Sequence, residues 1–125
     1  MKHLVILLLW VIPLVGKTHC IESFTIHQHF EEVSILLNGA NVDDIYDICI
    51  SSAGNGKNTL NISRTNHATI SVYHDQITEI VYSVSTKKFQ LSTNCGVFAC
   101  FKTKNLETRD KIRYYFKGVE IKIRL

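Results

Sequence analysis

The chain is short of the residues that interrupt a simple fold. A single proline, Pro13, stands among 125 residues and the only tryptophan is Trp10, so everything after residue 13 lacks both. No proline-rich linker, internal repeat or low-complexity tract divides that stretch, and 125 residues leave room for one domain. An elaborate multidomain enzyme is excluded. No Cys-x-x-Cys pair occurs. After residue 15 no apolar run approaches the roughly 18 residues that a membrane-crossing helix requires, which leaves no membrane anchor. Blocks of like charge and basic segments interleaved with aromatics are also missing, which removes the usual footing for nucleic-acid binding. Without a nucleophile motif or an oxyanion-forming glycine turn, no catalytic residue is assigned, and no cofactor is implied.

What is present begins with an address. Met1-Lys2-His3 precedes an apolar run from Leu4 to Val15, followed by Gly16 and Lys17. A basic start, about a dozen apolar residues and a small residue near the exit form the layout of a secretory signal peptide. Residues 1–17 are therefore expected to be removed, leaving a domain over 18–125 that is secreted or lumenal in the endoplasmic reticulum. Removal takes away Lys2 and Lys17, and the formal charge falls from +3 to +1. The remaining charge is polarised. Residues 18–56 carry six carboxylates and no Lys or Arg, whereas residues 101–125 carry eight cations against Glu107, Asp110 and Glu120. Such asymmetry either steers a charged partner or is neutralised by packing one end on the other.

Four cysteines, Cys20, Cys49, Cys95 and Cys100, all lie beyond the address. An even count in an oxidising compartment predicts disulfides rather than zinc or reactive thiols. Of the three complete pairings, the one joining Cys95 to Cys100 is disfavoured. Five residues of extended strand separate these sulfurs by roughly 16 Å and point them to opposite faces.

The body of the chain reads as strands. Runs rich in Val, Ile, Thr, Tyr and Phe recur between Gly, Asn, Asp and Ser clusters, predicting strands at 23–29, 32–37, 45–51, 59–64, 68–73, 79–85, 89–92, 97–102, 111–116 and 118–125. Alternation is clearest at the end, where Val119, Ile121, Ile123 and Leu125 alternate with Glu120, Lys122 and Arg124. Turns are marked by Asn38-Gly39, by residues 54–58 and by Lys117-Gly118. The expected fold is all-β, a small immunoglobulin-like antiparallel β-sandwich with disulfides. Phe98-Ala99-Cys100 fits the aromatic-x-Cys of an immunoglobulin F strand, although Phe98 lacks the tyrosine hydroxyl and no cysteine lies in 32–37 to pair with Cys100.

Several stretches in order carry a resemblance: Cys20-Ile21-Glu22-Ser23-Phe24-Thr25-Ile26-His27-Gln28, Asp47-Ile48-Cys49-Ile50-Ser51-Ser52-Ala53-Gly54-Asn55-Gly56-Lys57, Ser92-Thr93-Asn94-Cys95, and the final Val119-Glu120-Ile121-Lys122-Ile123-Arg124-Leu125. Together they resemble the accessory immunoglobulin-like glycoproteins encoded by open reading frame eight of SARS-related coronaviruses. Lys87-Lys88-Phe89-Gln90-Leu91 and Phe98-Ala99-Cys100 more weakly resemble the sister open-reading-frame-seven protein. The resemblance implies a secreted, non-catalytic immune modulator that binds host secretory-pathway or extracellular proteins. It also implies that Cys95 bridges to Cys20, that Cys49 is left for Cys100, and, as an alternative use of Cys20, a homodimer linked through it.

Remaining candidates are residue-level. Asn61-Ile62-Ser63 is the only glycosylation sequon. Contact candidates are the loop residues Gly54, Asn55, Gly56 and Lys57 and the basic stretch with Lys102, Lys104, Arg109 and Lys111. His27 and His29 would share a strand face, but no carboxylate or cysteine at a supporting spacing makes them metal ligands. A small secreted nuclease using His27 and His74, or a self-assembling structural protein, are the alternatives from other classes.

Overall fold

The computed structural model describes residues 20–54 and 56–125. The expected signal peptide, residues 1–17, and the contact candidate Asn55 lie outside the described residues.

Strand β1 (Cys20–Thr25) runs into a helical turn, α1 (Ile26–His29), then β2 (Phe30–Leu37) and β3 (Ala40–Val42). Next come β4 (Ile45–Gly54), β5 (Lys57–Arg64) and β6 (Ile70–Tyr73), then a 3-10 turn at His74–Gln76. The order continues through β7 (Glu79–Ser83), β8 (Lys88–Thr93), β9 (Gly96–Thr103), helix α2 (Leu106–Tyr115) and β10 (Ile121–Arg124). A four-stranded sheet ordered β1-β4-β5-β6 faces a six-stranded sheet ordered β10-β7-β8-β9-β2-β3. The expected two-sheet sandwich is present. Every pairing is antiparallel except that of β10 with β7, which is parallel.

Period-2 patterning explains the layers. Phe24, Ile48, Ile50, Leu60, Ile62 and Val72 face inward from the smaller sheet, and Ile35, Ile80, Tyr82, Phe89, Leu91, Ala99 and Phe101 from the larger one. Aromatic rings run across the core, with centroids 5.9 Å apart for Phe24–Phe30, 4.8 Å for Phe30–Phe101 and 5.6 Å for Phe89–Phe101. Each fully buried ring contributes roughly 1.5–3 kcal/mol by removal from water. The Asn38-Gly39 signal becomes the two-residue turn between β2 and β3, with φ of 55° and 83°, the left-handed pair that matches hairpin twist.

Two predicted strand segments are helical instead. Residues 26–29 form α1, and the predicted strand at 111–116 is the second half and end of α2. Asn105 caps α2 by accepting from the Thr108 N–H at 2.8 Å, with Glu107 in the first turn where the helix dipole favours an anion. Thr108, Ile112 and Phe116, four residues apart, are buried along one stripe. That stripe inserts Ile112 and Phe116 into the core shared by both sheets.

The four cysteines make one disulfide. Cys20 is joined to Cys49 across the β1–β4 pair, with Cα atoms 5.5 Å apart, and Cys95 and Cys100 are free. This replaces the expected Cys20–Cys95 and Cys49–Cys100 bridges. It also occupies the sulfur expected to link two copies through Cys20. Register decides the outcome, since β1 and β4 are neighbours in one sheet while Cys100 is on β9 of the other and Cys95 in the β8–β9 turn.

Candidate functional site

Helix α2 is tied to the smaller sheet at three points. Lys111 Nζ lies 3.2 Å from Glu22 Oε2, and the Tyr115 hydroxyl donates to Glu22 Oε1 at 3.0 Å. Asn58 Nδ2 donates to the Tyr115 carbonyl at 2.7 Å, satisfying a last-turn acceptor that the helix leaves open. Glu22 holds the Lys111 ammonium above its ordinary pKa, and burial, aided by Glu22, pushes the Tyr115 phenol up. Acidic start and basic end thus neutralise one another here through side chains, while their strands belong to different sheets.

With its buried stripe and these ties fixed, α2 turns Arg113 and Tyr114 outward. Tyr114 is 63% exposed, and Lys117 Nζ lies over its ring at 4.9 Å from the centroid. Two grooves flank it. One of about 400 Å³ is lined by Ile21, Gly56, Asn58, Tyr114, Tyr115 and Lys117. The other, about 510 Å³, lies between α2 and β10 and includes Arg113, Tyr114, Lys117, Val119 and Ile121. Exposed tyrosine and arginine beside apolar side chains such as Val119 and Ile121 is a composition that carries binding energy at protein interfaces. Arg113 and Lys117 have no carboxylate within ion-pair distance among the described residues.

The structure gathers only part of the expected contact set here. Gly56 lines the smaller groove, and Gly54 is exposed on the same β4–β5 turn. Lys57 is exposed on that turn but pairs with Asp75 at 2.9 Å, which holds the Asp75 carboxyl below its usual range. Arg109 pairs with Asp110 at 3.0 Å, and Lys111 is committed to Glu22 and Glu107. Lys102 lies on β9, 3.9 Å from Glu32, which Lys88 also holds at 2.6 Å. Lys104 Nζ donates to the His27 carbonyl. Sequence reasoning missed Arg113, Tyr114 and Tyr115 on α2, Lys117 just beyond it and Ile21 on β1; for Arg113 and Tyr114 the stripe Thr108, Ile112, Phe116 was the signal that would have turned them outward on a helix.

Asn61, the expected glycosylation acceptor, is enclosed. It lies on inner strand β5 at 5% exposure, its Nδ2 donating to the Cys49 carbonyl at 3.2 Å and to Ser51 Oγ at 2.9 Å. Its Oδ1 accepts from Ser71 Oγ at 2.7 Å. A glycan on Nδ2 would have to displace these contacts.

The histidines are dispersed. His27 and His29 belong to α1 rather than a strand, and His29 Nδ1 is 3.0 Å from Thr108 Oγ1. His27 lines a groove with Val33 and Asn41, while His74 sits against Gly118, 3.0 Å from the position a Cβ would take there. The two histidines of the nuclease alternative are therefore in different surroundings. His67 Nδ1 meets Asp44 Oδ2 at 2.8 Å, and Arg64 Nε meets Asp44 Oδ1 at 2.9 Å. His67 foremost, with Arg64 and the Asn66 N–H, holds the Asp44 carboxyl far below the usual range. This cluster fastens the loop after β5. Among the described residues no group of three or more potential metal ligands converges. None of the helices among the described residues is long and apolar enough to cross a membrane. No protein-family model matches the chain, and no curated protein matches it.

Proposed function

We propose that this chain is a secreted viral accessory domain that works by binding host proteins, in the secretory pathway or outside the cell, and so modulates immune signalling or antigen presentation. Its mechanism is surface complementarity rather than chemistry. The observation that carries the reading is Tyr114, held outward on a helix anchored at Ile112 and Phe116, between two grooves that mix Ile21, Val119 and Ile121 with polar and charged residues, the unpaired Arg113 and Lys117 among them. Support comes also from the Cys20–Cys49 disulfide, which suits an oxidising compartment, and from the resemblance of the Ile48-Cys49-Ile50 and terminal segments to coronavirus accessory proteins.

Capture of the secreted protein on an array of host extracellular and lumenal receptors tests this. A receptor should bind saturably, and Tyr114→Ala should weaken that binding about tenfold or more without loss of fold. The reading fails if no receptor binds above background. It fails equally if purified protein cleaves RNA or DNA with an activity that His27→Ala or His74→Ala abolishes.

A further inference from the structure

The larger groove lies beside an open sheet edge. Strand β10 ends the six-stranded sheet and pairs with β7 alone. The Glu120 and Arg124 carbonyls accept from the Ile80 and Val84 N–H groups. In a parallel ladder one strand's bonding residues alternate, so Lys122 and Arg124 turn their N–H and C=O groups to β7, and Ile121 and Ile123 turn theirs away. The outer edge therefore offers unpaired backbone groups to an added strand. Its side chains are also unfinished. Ile121 and Ile123 stand opposite Ile80 and Tyr82 on the inner side of the sheet, yet Ile123 is 48% exposed and Leu125 92%.

Charge selects the occupant. Arg113 on α2 and Lys117 in the turn after it border the groove, and Arg124 lies on the edge strand itself; none has a carboxylate within ion-pair distance among the described residues. Of the acids beside them, Asp110 is held by Arg109 at 3.0 Å, and Glu120 alone is unpaired. A second copy paired antiparallel about Lys122, whose own charge Glu79 meets at 2.8 Å, would bring the same surplus of Arg113, Lys117 and Arg124 and no free carboxylate beside them to match it beyond Glu120.

We propose that the free edge of β10 takes an extended acidic peptide segment of a partner protein as an added strand. Its backbone bonds to Ile121 and Ile123, its apolar side chains cover Ile123 and the groove, and its carboxylates meet Arg113, Lys117 and Arg124. This rests on the binding-domain reading and adds to it the chemistry of the partner.

Fluorescence anisotropy with the full chain and a labelled peptide of alternating valine and glutamate provides the test, beside the same peptide with lysine for glutamate. The glutamate peptide should bind saturably, lose affinity as salt rises, and bind about tenfold or more weakly to Arg113→Glu and to Lys117→Glu. The lysine peptide should not bind. Ile123→Pro, which removes an outward N–H, should also weaken binding; if that variant fails to fold by circular dichroism, the two surface charge reversals carry the decision. The proposal is overturned if neither peptide binds, if both bind alike, or if the reversals leave affinity unchanged. Self-association that displaces the peptide would overturn it too, by assigning the edge to a second copy. A captured host receptor indifferent to Arg113→Glu and Lys117→Glu would leave the binding function standing and remove this proposal alone.

Discussion

The first and last strands both lie at sheet edges, but the structure treats them in opposite ways. Strand β1 borders the four-stranded sheet, where it is bonded covalently to β4 through Cys20–Cys49 and joined to α2 through Glu22. Strand β10 borders the six-stranded sheet, has no covalent tie, and leaves Ile123 and Leu125 largely in water. An edge strand is a template for pairing unless something covers or fastens it. The other two edges, β6 and the three-residue β3, carry no such tie either, so the contrast is between one fastened terminal strand and one free one.

The most damaging way to break that contrast is to remove the fastening. Cys49→Ser should lower unfolding free energy by roughly 3.5 kcal/mol, the loop-closure value for a sequence separation of 29 residues, as read from urea denaturation. Cys95→Ser and Cys100→Ser should have far smaller effects, because neither thiol is bonded. Next comes the helix that separates the two regions. Ile112→Ala, at 1% exposure, should cost about 3 kcal/mol, whereas Tyr114→Ala on the opposite face should cost under about 0.5 kcal/mol. Thermal melts of the pair would show whether the outward face is free of structural duty.

Acid probes a third attachment, the loop after β5. Because the Asp44 carboxyl has a lower pKa folded than unfolded, its contribution is complete above the unfolded value of about 4 and disappears as pH falls below it. Stability should therefore decline on acidification, and Asp44→Asn should flatten that part of the profile. The smallest effect concerns the free thiols. Burial pushes the Cys100 thiol up, and Cys95 is exposed, so alkylation followed by intact mass should modify Cys95 first and Cys100 slowly. Equal rates would mean that β9 is less enclosed than described.

Much of the sandwich was legible because its strands obey a two-residue period and its turns carry glycine and asparagine. Asn38-Gly39 and the alternation from Val119 to Leu125 translated directly into a hairpin turn and a strand. Helix α2 was not, for a local reason. Its buried stripe starts with Thr108, which does not count as apolar, and Tyr114-Tyr115-Phe116 has the aromatic richness of a strand, so the helical spacing was hidden. The site followed the helix into obscurity, since Tyr114 and Lys117 become outward neighbours only at a helical period. Cysteine number was a weaker guide than strand adjacency, which brings Cys20 to Cys49 and leaves the other two on the β8–β9 hairpin of the opposite sheet. Likewise a sequon reports chemistry but not burial, and Asn61 is enclosed by its neighbours on β4 and β6.

Residue-resolved amide hydrogen exchange on the free chain tests the contrast between the edges most directly. Protection along β10 should alternate, with Lys122 and Arg124 slowed by β7 while Ile121 and Ile123 exchange close to the rate of an unstructured chain. Ile121 and Ile123 as well protected as Lys122 would mean that the edge is already covered, and would contradict the account.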